Sequence, residues 1–320
     1  MSLQTLETTQ RFTKDAIREI YHTAIPDLIY RAQGIHREFH RANEVQFCTL
    51  ANIKSGNCSE DCSYCPQSAR YNTGIETWSL PSVEEIQAQA LSAKASGSTR
   101  LCMGAAWREV RDGKEFDQVL ELVKTVKNNG LEACVTLGML NLEQARQLKE
   151  AGLTAYNHNI DTSPEYYGEI ISTRTFEDRL RTIANVAEAD IQVCCGGIIG
   201  LGESIEDRIS FLHVLSNLDP TPESVPINAL VPVEGTPLEN QPIIDPIDLV
   251  RTVATARILI PQAVVRLSAG RTEMTDEAQT LCFLAGANSI FTGDILLTTP
   301  NPGEAHDHQL MAKLGMSPKA

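Results

Sequence analysis

The chain has 320 residues, 42% hydrophobic and 21% charged, proportions that exclude a mainly disordered or fibrous protein and leave enough apolar material for one large core. Its 27 basic and 41 acidic side chains give a formal charge of −14, which disfavours nucleic acid or an anionic membrane surface as the main partner and favours a small molecule. No apolar run approaches the roughly 20 residues that span a bilayer, and the opening MSLQTLETTQRFTKDAIREI has no apolar targeting core, so the expected location is the cytoplasm.

The first 43 residues read as helical. Ile17, Ile20 and Tyr21 share one helical face, and after a break at Pro26 so do Leu28, Ala32, Ile35 and Phe39. They are expected to form an N-terminal extension capping a unit that spans 44–320. From Val45 onward, short β-branched or apolar runs alternate with amphipathic stretches. VQFCTLAN precedes a helix over 83–96, TRLCMGAA one over 116–129, EACVTLG one over 142–151 and AYNHNID one over 176–189. QVCCGGIIGLG precedes a helix over 205–218, VPINALVP one over 247–260, VVRLSAG one over 277–285 and SIFTGD one over 308–314. Eight successive βα units imply parallel strands with right-handed crossovers. Closure at eight predicts a (β/α)8 TIM-type barrel, with an open doubly wound sheet as the alternative. The tail, PNPGEAHDHQLMAKLGMSPKA, is expected to be loose at its end, with His306 and His308 solvated rather than metal-binding.

Nine cysteines without an export signal point to thiols or metal ligands rather than disulfides. Cys58, Cys62 and Cys65 form C-x3-C-x2-C within NCSEDCSYCPQS, directly after the first strand and therefore at the face where barrel enzymes react. Three thiolates can hold three irons of a [4Fe-4S] cluster and leave the fourth iron open. Zinc would want a fourth ligand close by, and the nearest histidines are His40 and His158.

Residues two apart on a strand share a face. Strand parity therefore groups Arg100, Cys102 and Gly104; Cys134, Thr136 and Gly138; Asn157, Asn159 and Asp161; Cys194 and Gly196; and Arg266, Ser268 and Gly270. Barrel interiors are normally layered with Val, Ile and Leu, so polar sets recurring on strand after strand cost stability unless they bind something. Cys102, Cys134 and Cys194 either converge on a second cluster or pack as small buried hydrophobes. Cys195 faces away from Cys194, and His158 away from Asn157 and Asn159. Cys48 and Cys282 have no partners at useful spacing and are expected to be packed structural thiols. Asn159 and Asp161 suit a ribose diol or a polar strand end, and Arg266 suits pairing with a buried carboxylate such as Asp161.

The strings NCSEDCSYCPQSARYNTG, STRLCMGAAW, LEACVTLG, YNHNIDTSPEYY, GGIIGLGE, ESVPINALVPVEGTPL, VRLSAGR and LLTTPNP, from about Cys58 to Leu314, together resemble the biotin synthases. That family is part of the radical S-adenosylmethionine enzymes, whose hallmark is this cysteine triad with an aromatic, here Tyr64, before the last Cys. The resemblance implies a [4Fe-4S] cluster on Cys58, Cys62 and Cys65, with S-adenosylmethionine near Tyr64, Asn159 and Asp161. It also implies a [2Fe-2S] cluster on Cys102, Cys134 and Cys194 with Arg266 as an unusual fourth ligand. The activity so implied is sulfur insertion into dethiobiotin to form biotin: a 5′-deoxyadenosyl radical abstracts hydrogen, and the resulting carbon radical attacks a sulfide of the second cluster. Asn159 would also reach the substrate and Asn228 would meet its ureido ring, while Arg100, Thr298 and Thr299 would suit its carboxylate end. A reducing donor such as flavodoxin or ferredoxin and a homodimer are further implications. One alternative is another radical barrel enzyme, of the hydrogenase-maturation or methylornithine type, which would not need Cys102, Cys134 and Cys194 together. The other is a noncatalytic iron-sulfur or zinc carrier, which would need neither the Asn159/Asp161 pair nor eight βα units.

Overall fold

The computed structural model describes residues 12–319. Two helices come first, Lys14–Tyr21 and Ile25–Phe39. The Thr13 side chain caps the first by accepting from the Ala16 N–H, and Pro26 occupies the opening turn of the second, where its missing N–H costs nothing. They bury Ile17, Ile20, Tyr21, Leu28 and Ala32 and pack on the helices Ile205–Asn217 and Pro246–Leu259. Phe39, placed by spacing on the buried stripe, is exposed.

Parallel strands follow: β1 (Glu44–Lys54), β2 (Arg100–Ala105), β3 (Glu132–Thr136), β4 (Ala155–Asn157), β5 (Gln192–Cys194), β6 (Gly197–Ile199), β7 (Ser224–Ala229), β8 (Val264–Leu267) and β9 (Ser289–Thr292). Their order is β1-β2-β3-β4-β5-β7-β8-β9, with β6 beside β7, and β9 returns to β1 with Gln46 opposite Ser289. The result is a closed (β/α)8 TIM-type barrel, not an open sheet. Four of the helices around it begin with a reciprocal capping box, on Ser82, Asn141, Thr175 and Ser204, so sequence chemistry sets where each crossover turns back.

β5 and β6 are two halves of one barrel strand, broken at Cys195 and Gly196. A Cβ on Gly196 would lie 1.9 Å from the Pro226 carbonyl oxygen, and one on Gly197 2.4 Å from that of Asp161. Only glycine permits so close an approach on both flanks. Through it the Ile198 N–H donates to the Asp161 carbonyl at 2.8 Å, holding the segment that follows β4 against β6.

The tail differs from expectation. Glu304–Leu314 is a helix that begins earlier than predicted, and Ser317–Pro318 adds a short β10 parallel to Glu44 and Val45. His306 bonds Asp276 at 3.1 Å, and His308 packs edge-on against Phe47 with ring centroids 5.3 Å apart, so neither is simply solvated. The helix is fixed by an ion pair between Arg271 and Asp307, both fully buried. Removing one partner of a buried pair strands the other charge at a cost of about 3–5 kcal/mol. Asp307→Ala should therefore lower the unfolding free energy measured by denaturant titration by that amount, and Asp276→Ala, whose carboxylate is a third exposed, by far less. Among the described residues no helix is long and apolar enough to cross a membrane.

Candidate active site

The loop after β1 carries the cysteine triad, and its backbone is self-contained. Cys58 N–H donates to the Gln67 carbonyl at 3.0 Å, Ala69 N–H to that of Cys58 at 2.8 Å, and Cys65 N–H to that of Cys62 at 2.9 Å. Asp61 anchors the loop to the far side of the mouth by accepting from the backbone of Ser172 and Thr173. The triad side chains are thus free to face a cavity of about 300 Å³ at the C-terminal end of the barrel. Burial pushes the Cys62 thiol up to about 11 and that of Cys65 up to about 12, so these protons leave only when a cation takes their place.

That cavity gathers Cys58, Cys62, Tyr64, Cys65, Cys102, Cys134, Asn159, Asp161, Asn228 and Arg266. Thr298 and Thr299 line a contiguous space of about 190 Å³ with Tyr64, Cys65 and Asn228. Cys194 lies just below the first cavity, fully buried, with Asn157 Nδ2 3.2 Å from its sulfur. Cys102 and Cys134 face each other across β2 and β3, and the Cys134 thiol hydrogen-bonds those of both Cys102 and Cys194. The bond from Cys134, with nearby Arg266 and Arg100, draws the Cys194 thiol well below its ordinary value despite burial.

Arg266 does not pair with Asp161, nor with any carboxylate among the described residues. Its Nε donates to Ser289 Oγ at 3.0 Å, Nη1 lies 3.9 Å from the Cys194 sulfur and Nη2 3.4 Å from that of Cys48. Its guanidinium carbon stands 4.9 Å from the Phe291 ring centroid. A buried cation normally needs a counter-charge, and here only sulfur is within reach to supply it. The donor set therefore fits an anionic metal–sulfur group. Among the described residues no three His, Cys, Asp or Glu side chains are arranged to close on a single metal ion. A polynuclear cluster does not require that, since its ligands bind different irons.

Asp161, at φ +64°, forms a buried ion pair with Arg179. Asn159 Oδ1 accepts from the Gly196 N–H at 3.1 Å. Asn228 is braced on both sides, donating to the Gly197 carbonyl at 2.9 Å and accepting from the Ala269 N–H at 3.1 Å.

Arg100 departs from the expected site. Parity put it on the inward face, but it stands one layer, about 7 Å, below Cys102, at the N-terminal end of the barrel. There its Nε donates to Glu132 at 2.8 Å and Nη2 to Glu223 at 3.2 Å, and it lines neither cavity. It has no access to a carboxylate held by Thr298 and Thr299. His158, expected to face away, borders the cavity with Nε2 unpartnered, and burial keeps the ring neutral.

Sequence reasoning missed Glu60, Arg174 and Arg179, which also line the cavity. Arg174 Nε and Nη1 and Glu60 Oε1 are buried without hydrogen-bond partners, although Arg174 Nε comes within 3.8 Å of Glu60 Oε2 and Arg108 Nε within 3.5 Å of Glu60 Oε1. Such orphans could hold the charged ends of a zwitterionic ligand. Glu60 and Arg174 sit on loops, where no periodicity signals direction and only Glu60's place between the triad cysteines offered a hint, whereas Arg179 lies on the helix Phe176–Glu188, on the buried face it shares with Phe176, Thr182 and Ile183.

Residues 52–215 match the family model of the Radical SAM superfamily, and residues 226–317 that of the Biotin and Thiamin Synthesis associated domain. The biotin synthase of Synechococcus sp. (strain JA-3-3Ab) is 62% identical over 302 residues, covering 94% of this chain and 97% of its own length. That of Gloeobacter violaceus is 58% identical over 307 residues, covering 96% of each. Among solved structures, a methylornithine synthase matches with a TM-score of 0.81 at 19% identity, covering 97% of this chain and 95% of its own. An [FeFe]-hydrogenase maturase matches with 0.81 at 18%, covering 97% and 72%. These two are likenesses of fold alone. With relatives this similar over nearly the whole length, and with both family models matched in order, the chain belongs to the biotin synthases, a family of radical SAM enzymes.

Proposed function

We propose that the chain inserts sulfur into dethiobiotin to form biotin, with S-adenosylmethionine as the source of the radical and a [2Fe-2S] cluster as the source of the sulfur. The observation that carries this reading is that the β1-loop thiols and two thiols of the second set, Cys102 on β2 and Cys134 on β3, line one cavity together with Arg266, which reaches toward the buried Cys194 on β5, and with amide and charged groups between them. When bound, a [4Fe-4S] cluster at Cys58, Cys62 and Cys65 supplies the electron that breaks the sulfonium bond, and the second cluster, at Cys102, Cys134, Cys194 and Arg266, supplies the sulfur.

The side chains position and exclude. Asp161, held by Arg179, presents a carboxylate oxygen to ribose hydroxyls, the free edge of Arg174 takes the carboxylate of the methionyl end, and Glu60, loosely paired with Arg108, faces its ammonium. Asn228 keeps one N–H and one lone pair beyond its backbone bonds, enough for a cyclic urea, with Asn159 beside it. Thr298 and Thr299 lie where the far carboxylate would end. Tyr64 closes the wall between the two spaces and helps keep water from a reactive carbon. An electron donor of the flavodoxin or ferredoxin kind, a homodimer, a cytoplasmic location and an N-terminal extension over 1–43 packed on the barrel, of which 1–11 lie outside the described residues, belong to the same proposal. A methylornithine-type or hydrogenase-maturation chemistry would leave Cys102, Cys134 and Cys194 without a task.

Anaerobic reconstitution followed by an assay for both biotin and 5′-deoxyadenosine tests the reading; cleavage with no biotin from dethiobiotin would refute it. Asp161→Asn should weaken S-adenosylmethionine binding about tenfold, the loss of one charge-assisted hydrogen bond, and dethiobiotin binding by less. Equal losses for both ligands would contradict the ribose placement.

A further inference from the structure

Cys48 was expected to be an ordinary packed thiol. Instead it is fully buried on β1 with its sulfur directed at the second thiol set, 3.4 Å from Arg266 Nη2 and 3.7 Å from Ser289 Oγ. One guanidinium therefore stands between two sulfurs, Cys48 on β1 and Cys194 on β5. Among the four side chains proposed to hold the second cluster, Arg266 is the chemically weakest ligand. A guanidinium keeps its proton and offers no free lone pair in that state, whereas thiolate is the usual ligand of iron in such clusters.

We propose that Cys48 is a reserve ligand of the second cluster. With Arg266 in place, the guanidinium fills the space between Cys48 and the other thiols. With Arg266 shortened, Cys48 Sγ gives up its proton and takes the fourth position, so that Cys48, Cys102, Cys134 and Cys194 hold the cluster as four cysteines. The inference rests on the second-cluster reading above and adds to it a site of all-sulfur coordination that the arginine masks.

The test is made on the full-length chain after anaerobic reconstitution, with iron and sulfide counted per chain and the [2Fe-2S] signal followed by visible absorption, Mössbauer and resonance Raman spectroscopy. Arg266→Ala should keep the second cluster with iron–sulfur stretching bands shifted to those of a four-cysteine site. Adding Cys48→Ser to it should lower second-cluster occupancy at least tenfold, while Cys48→Ser alone keeps the wild-type spectrum. Circular dichroism checks folding, and if Arg266→Ala fails to fold, Arg266→Lys with and without Cys48→Ser is read in the same way. Loss of the cluster in Arg266→Ala, or equal occupancy with and without Cys48, would overturn the role of Cys48. Retention of the signal in Cys194→Ser would instead overturn the second-cluster reading itself, so the two failures are distinct.

Discussion

Replacing Cys58, Cys62 or Cys65 by alanine, one at a time, should abolish 5′-deoxyadenosine formation and leave the barrel folded. The loop that carries them is held by backbone hydrogen bonds and by Asp61, none of which uses a cysteine sulfur. Truncating one thiol removes few packing contacts, on the order of 1 kcal/mol, while leaving only two thiolates to site a cluster. Loss of a supporting group around a metal site already costs about 10–100-fold, so loss of a direct ligand should take cleavage to background. Far-ultraviolet circular dichroism should match the unmodified chain. Undiminished cleavage in any one of the three would show that the triad does not hold the cluster.

The second large effect separates two adjacent cysteines. Cys194→Ser should lose the [2Fe-2S] absorption and the biotin product while 5′-deoxyadenosine formation survives in part, because the β1 loop is untouched. Cys195→Ser should lose neither. Cys195 packs within the main apolar core, on the face opposite the thiol set, so a hydroxyl there costs stability, about 1–3 kcal/mol if it finds no partner, and not chemistry. The pair is measured by absorption spectra of reconstituted protein and by product analysis. Loss of the cluster in Cys195→Ser alone would mean that the register at the break between β5 and β6 is misassigned.

Much of this was legible because strands and helices impose periods on a sequence. Apolar runs separated by amphipathic stretches specified eight βα units, and parity grouped the residues that share a face on β2, β3, β5 and β8, while the recurrence of polar side chains pointed to that face as the inward one. Charge suited Arg100 to a substrate carboxylate and parity set it with Cys102, but parity gives a face and not a height, and Arg100 sits at the barrel floor with Glu132 and Glu223. Spacing along the chain also cannot report a neighbour from the other end of it, so Cys48 looked solitary although β8 and β9 bring Arg266 and Ser289 to its sulfur. Arg174 lies on a loop, where direction is decided by tertiary packing, while the period of the helix Phe176–Glu188 gives the buried face that holds Arg179 but not what that face borders, and the tail looked loose because β10 is only two residues long and draws its order from pairing with β1.

Closure of β9 on β1 joins Gln46 to Ser289 across 243 positions of sequence. At translation rates of 5–20 residues per second, the ribosome takes roughly 10–50 s to make the chain between them. The C-x3-C-x2-C loop is complete within eight residues and can meet iron while the chain is still growing. Cys48, Cys102, Cys134 and Cys194 acquire Arg266 and Ser289 only when the last third has emerged and the cylinder has shut. If the two thiol sets hold iron as proposed, loading has a built-in order, in which the first set is available co-translationally and the second exists only in the finished molecule.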